Sequence, residues 1–180
     1  MKRTRFHAGW LLLGVIAPSQ AAEIDPETLS SAKAFLVDYL NVSNTGNGDL
    51  TALYRDTALI HLTVTTQNRQ TQTRVLNGPD WKRLLRERMA TTNQGIEPMA
   101  LHQVRIHGQG QNLEIAAQRY ALNRCYWDMN YRLVITREGA GPYQIVKENR
   151  FSDHNNRCQT PTADILTLKQ AIKIQQNPLQ

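Results

Sequence analysis

A chain of 180 residues with 21 Lys and Arg against 15 Asp and Glu carries a formal charge of +6, and its length suits one domain with a single core. Lys2, Arg3 and Arg5 lie in residues 1–21 without any acid, so the rest of the chain carries only +3. A surplus of that size, spread thinly, is not the clustered basic face of a nucleic-acid binder, and no nucleic-acid partner is expected.

Residues 1–21 read as a cleavable signal peptide. The basic start is followed by an apolar run from Ala8 to Ala17 and by Pro18-Ser-Gln-Ala21, where Ser19 and Ala21 satisfy a small-x-small cleavage rule. The run is about half of the ~20 residues a spanning helix needs, so no stable membrane anchor is expected. Arg3 and Arg5 are not adjacent, which argues against a twin-arginine signal. The expectation is an exported protein, periplasmic in a Gram-negative host or secreted. Cys125 and Cys158, two cysteines in an exported chain, are then expected to form a disulfide. Their 33-residue separation lacks the spacing of a metal site.

Asp25-Pro-Glu-Thr opens a helix, with Asp25 as cap and Pro26 in the first turn, and Leu29, Ala32, Leu36 and Tyr39 give it an apolar stripe to about residue 41. Asn41 to Asp49 reads as a loop, and Asp49 caps a short helix through Tyr54. Residues 58–66 alternate as a strand, and Gln67 to Arg74 reads as a polar turn. Gly78-Pro-Asp-Trp81 opens another helix, whose core side is Trp81, Leu84, Leu85 and Met89 and whose wet side is Lys82, Arg83, Arg86 and Arg88. Strands follow near 100–107, 112–123, 126–137 and 143–152, with turns at Gly108-Gln-Gly110 and Gly139-Ala-Gly-Pro142, as an antiparallel meander. Thr162 caps a last helix through about residue 175, with Ile165, Leu168 and Ile172 on one side. The organisation is therefore 1–21 signal peptide, 22–158 one domain, and 159–180 a helical tail.

The run Phe35-Leu-x-x-Tyr39-Leu, a loop, then Asp49-Leu-x-x-Leu-Tyr54-x-x-x-Ala58 resembles the nuclear transport factor 2-like superfamily, which includes the polyketide-cyclase-like (SnoaL-like) proteins. Gly78 with Leu84-Leu85, Tyr131-Arg-Leu-Val-Ile135 and Tyr143-Gln-Ile-Val-Lys147 extend the likeness over residues 27–153. The resemblance implies an α+β, cystatin-like fold, a cone in which N-terminal helices pack into a curved antiparallel sheet, often around a pocket. It also implies a choice among isomerases, hydrolases, ligand-binding modules and assembly domains of envelope machines, which fold alone does not make.

Alternate side chains of a strand share a face. Taking the more apolar phase of each strand as inward places His102, Arg119, Lys147 and Asn149 inside the cone, with Trp127 and Tyr131 as aromatic walls. Glu114, Asp128 and Glu148 fall on the opposite phase, which leaves the interior without the carboxylate that proton-transfer chemistry uses. The expected function is a non-catalytic binding module with a small cationic pocket for a small molecule or protein partner. A cyclase- or hydrolase-like enzyme, or an envelope assembly domain, stands as the alternative. Tyr126, Asp128, Asn130 and Arg132 would form an outer sheet face suited to a homodimer. No cofactor and no metal site are expected, because no histidine pair has helix-ligand spacing and no glycine-rich phosphate loop is present.

Overall fold

The protein is described here by a computed structural model covering residues 24–91, 98–109, 111–153 and 158. The signal peptide and the helical tail expected from sequence lie outside the described residues. Helix α1 (Pro26–Thr45) begins where Asp25 accepts the Thr28 N–H at 2.8 Å. It runs through the segment from Asn41 that the sequence suggested was loop. The reason is its terminator, since the first residue able to take the left-handed cap conformation cheaply is Gly46, with φ 71°. A short 3-10 turn, Leu50–Leu53, is capped by Asp49 through the Thr51 N–H, as expected.

Strand β1 (Tyr54–Thr65) pairs with β2 (Thr71–Asn77), then comes α2 (Gly78–Thr91). Strands β3 (Met99–Gln109), β4 (Asn112–Ala121), β5 (Tyr126–Thr136) and β6 (Gln144–Asp153) follow as the antiparallel meander. β2 overlaps the stretch read as a turn. It is an edge strand in which only Leu76 is partly buried, so it has no apolar alternation to read. Gly78 sits where a Cβ would come 2.2 Å from the Arg55 carbonyl oxygen, which lets α2 leave β2 tight against β1.

The sheet order is β2-β1-β6-β5-β4-β3, and β6 lies parallel to β1. Both helices pack on one face. Phe35, Leu36 and Tyr39 of α1 and Trp81 and Leu85 of α2 meet Ile60, Ile115, Leu133 and Ile145 in a continuous core. This is the α+β arrangement expected from the resemblance. The disulfide Cys125–Cys158 forms, with 5.2 Å between Cα atoms, and ties the chain beyond β6 to the start of β5.

Three bulges break the single-phase reading of the strands, because an extra residue turns all later side chains to the other face. In β3, His102 pairs with Gln118 and Arg105 with Ala116, so three steps oppose two, and Gln103 has φ 50°. In β5, Tyr131 pairs with Ala117 and Asp128 with Arg119, again three steps against two. In β6, Ile145 pairs with Ile135 and Lys147 with Val134, so Val146 is the extra residue. β4 is the straight member of the first two pairs. Its Leu113, Ile115, Ala117, Arg119 and Ala121 are all buried, as their alternation predicted.

Candidate functional site

The bulges redistribute the six residues that sequence placed in one pocket. Arg119 and Tyr131 are inside, with the guanidinium 5.5 Å from the ring centre. His102, Trp127, Lys147 and Asn149 are on the face turned away from the helices. The outer-face expectation changes in the same way: Tyr126 and Asp128 are buried within, while Asn130 and Arg132 remain outside. The interior is not free of acids either, because Asp128 and Glu148 are 3% and 0% exposed.

Glu148 lies at the centre of a polar cluster drawn from both helical and strand elements. Tyr54 donates to its Oε2 at 2.7 Å and Tyr131 to its Oε1 at 3.0 Å. Tyr39 stands 2.9 Å from the Tyr131 hydroxyl, and since that hydroxyl gives its proton to Glu148, Tyr39 donates to it. The Arg150 guanidinium is 3.6 Å from Oε1 and lies over the Trp81 ring at 5.3 Å. Burial first, and then the Glu148 charge, push the Tyr39 phenol up to about 12. The same two causes raise Tyr54 and Tyr131 well above the ordinary phenol value, so all three remain protonated donors.

Tyr131 joins this cluster to a second one. Pairing between β5 and β6 ends at Arg132 and Asn149, and beyond it side chains take over the ladder's work. Asp128 Oδ2 accepts the Phe151 N–H at 2.7 Å, and Arg119 Nη2 donates to the Phe151 carbonyl oxygen. Tyr126 donates to that same oxygen at 3.2 Å, and Arg119 Nε faces Asp128 at 3.6 Å. Each inward acid is thus held by several donors and is almost wholly buried.

Sequence reasoning missed Asp128, Glu148, Arg150, Tyr39 and Tyr54 as a group. One signal was present. Lys147-Glu148-Asn149-Arg150 puts charge or amide on both faces of one strand, so some of it had to be buried and paired.

The face away from the helices carries open volume. One hollow of about 540 Å³ is bounded by His61 and Thr63 of β1, Thr73 of β2, Asn130 and Arg132 of β5, and Lys147 and Asn149 of β6, and the buried Asp128 and Arg150 also reach its wall. A second, of about 510 Å³, shares Arg132, Lys147 and Asn149 and extends to Glu114. Arg132 Nη1 bonds Glu114 Oε1 at 2.9 Å. Toward β3 the same face bears an aromatic group, with Trp127 5.0 Å from both His102 and Tyr120 between ring centres. Trp127 and its neighbour Met129 are 44% and 57% exposed.

Among the described residues no three His, Cys, Asp or Glu side chains are gathered as a metal site would require, and no helix is long and apolar enough to cross a membrane.

No protein-family model matches the chain, and no curated protein matches it. Solved structures do. A nuclear transport factor 2-like protein of unknown function from Pseudomonas putida is 14% identical, with 71% of this chain and 87% of that one covered and a TM-score of 0.48. A nuclear transport factor 2-like protein of unknown function from Shewanella baltica is 8% identical over 71% and 95%, with a TM-score of 0.44. A protein of unknown function with a cystatin-like fold from Nostoc punctiforme is 6% identical over 79% and 100%, with a TM-score of 0.46.

Proposed function

We propose that this chain is an exported, non-catalytic binding module whose working surface is the sheet face turned away from α1 and α2. One contrast carries the reading. Inside the fold Glu148 and Asp128 accept from tyrosine hydroxyls and backbone N–H groups, whereas Lys147, Asn149, His61 and Arg132 border open volume on the face away from the helices. Lys147 is exposed, with no acid in ion-pair reach among the described residues. Export is supported by the signal-like first 21 residues and by the disulfide, a bond favoured in oxidising compartments.

The half-exposed Trp127 and Met129 favour a second reading, in which the same face meets a protein partner or a second copy of the chain. Native mass spectrometry of the chain from residue 22 onward, purified from its own compartment, separates the two. A retained small mass supports the ligand reading, and a dimer lost on Trp127→Ala supports the partner reading. Amide-shift mapping of a fragment library locates the surface. Shifts gathered around Tyr39, Glu148 and Tyr131 would overturn both readings in favour of an interior site.

A further inference from the structure

We infer that the hollow over Lys147, Arg132 and Asn149 binds a small anionic polyol, a molecule of the sugar-acid or sugar-phosphate class. The inference rests on the proposed binding role and deepens it by naming the ligand chemistry.

Charge complementarity comes first. Two cations, Lys147 and Arg132, border the hollow, and Glu114 takes one guanidinium nitrogen of Arg132. A guanidinium has five N–H donors in a fixed fork, so that bond leaves Arg132 able to donate elsewhere. The other charges at the rim are turned away. Asp128 spends its oxygens on the backbone N–H groups of Phe151 and Asn130, at 2.7 and 3.2 Å, while Arg150 lies against Glu148 and Trp81 on the inner side. The hollow is therefore net positive.

A bare anion would leave much of the wall unmatched. Thr63 and Thr73 face each other across β1 and β2, their hydroxyls 3.1 Å apart. Asn130 contributes a side-chain amide. Asn149 has its side-chain Oδ1 buried without a hydrogen-bond partner. A ligand hydroxyl can donate to or accept from a side-chain amide in either orientation. The volume of about 540 Å³ lies in the range of small-molecule sites. Negative charge for the two cations, and hydroxyls for the threonines and asparagines, together describe a sugar acid or sugar phosphate.

The test is a calorimetric and amide-shift titration of the chain from residue 22 onward with four probes: glucuronate, glucose 6-phosphate, glucose and inorganic phosphate. The expected result is binding of glucuronate or glucose 6-phosphate with shifts at His61, Lys147 and Asn149. Glucose and phosphate should each bind at least about tenfold more weakly. Lys147→Glu, at an exposed position that leaves the core untouched, should weaken the better ligand by about tenfold or more, and Asn149→Leu should weaken it severalfold. Whichever charged probe binds better distinguishes carboxylate from phosphate recognition. Glucose binding as well as glucuronate, an unchanged affinity in Lys147→Glu, or no binding by any probe would overturn the inference. The binding role itself would fall only if fragments also failed to map to this sheet face.

Discussion

Replacing Glu148 tests the claim that the interior is a structural network. In Glu148→Ala the Tyr54 and Tyr131 hydroxyls lose their acceptor and the Arg150 guanidinium, 5% exposed, loses its counter-charge. Removing one partner of a buried ion pair costs about 3–5 kcal/mol, and each stranded buried donor adds about 1–3 kcal/mol, though not additively. A loss of about 5 kcal/mol is therefore expected, a large part of the ~5–15 kcal/mol that holds a domain of this size. Glu148→Gln keeps the volume and one acceptor oxygen, so its cost should be nearer ~2–3 kcal/mol. Tyr54→Phe removes one bond to a charged acceptor and should cost about 2 kcal/mol. Because both changes touch the same bond, the double variant should lose at least about 1 kcal/mol less than the sum. Urea unfolding followed by tryptophan fluorescence measures the parent and the four variants. A Glu148→Gln variant as stable as the parent, or more stable, would refute the reasoning, since a gain on removal is the mark of an acid kept for function at the expense of stability.

Three further outcomes are expected. Stability should fall as pH rises through about 10 to 12, because the unfolded state releases phenol protons near 10 while Tyr39 holds its proton to about 12; that group alone accounts for about 3 kcal/mol, with Tyr54 and Tyr131 acting in the same direction. Thermal melts across that range check it, and a flat profile to pH 12 contradicts it. Reducing Cys125–Cys158, which closes a loop of 33 residues, should lower stability by about 3–4 kcal/mol and be visible as a drop in melting temperature with reductant. Gly78→Ala should cost about 2 kcal/mol or more in denaturant melts, since its methyl would meet the backbone oxygens of Arg55 and Asp56 at 2.2 and 2.6 Å.

The elements were legible wherever one local rule dominated. Asp25 and Pro26 marked the start of α1, the alternation of Leu113 to Ala121 marked the inner side of β4, and the Gly139 turn marked the last hairpin. β2 was hidden because an edge strand exposed on both sides needs no apolar pattern. The parallel pairing of β1 with β6 left no local trace, since it depends on contacts about ninety residues apart. The candidate site suffered most from the bulges. A single extra residue near Asn130 exchanged Trp127 for Asp128, and another at Val146 exchanged Lys147 for Glu148. Periodicity within one strand cannot register an insertion that only its partner strand reveals. The charge on both faces of β6 was the one local hint that alternation would break there.

The position of β6 also has a bearing on how the molecule assembles. Within the sheet the hairpin of β1 and β2 meets the meander of β3 to β5 only through β6, and β6 is the last of the described strands along the chain. It brings Glu148 and Arg150 with it, so the hydroxyls of Tyr54 and Tyr131 wait for their acceptor until residue 148 has arrived. Long-range pairing of this kind makes folding slow. Until that strand arrives, neither part of the described sheet has its inner neighbour.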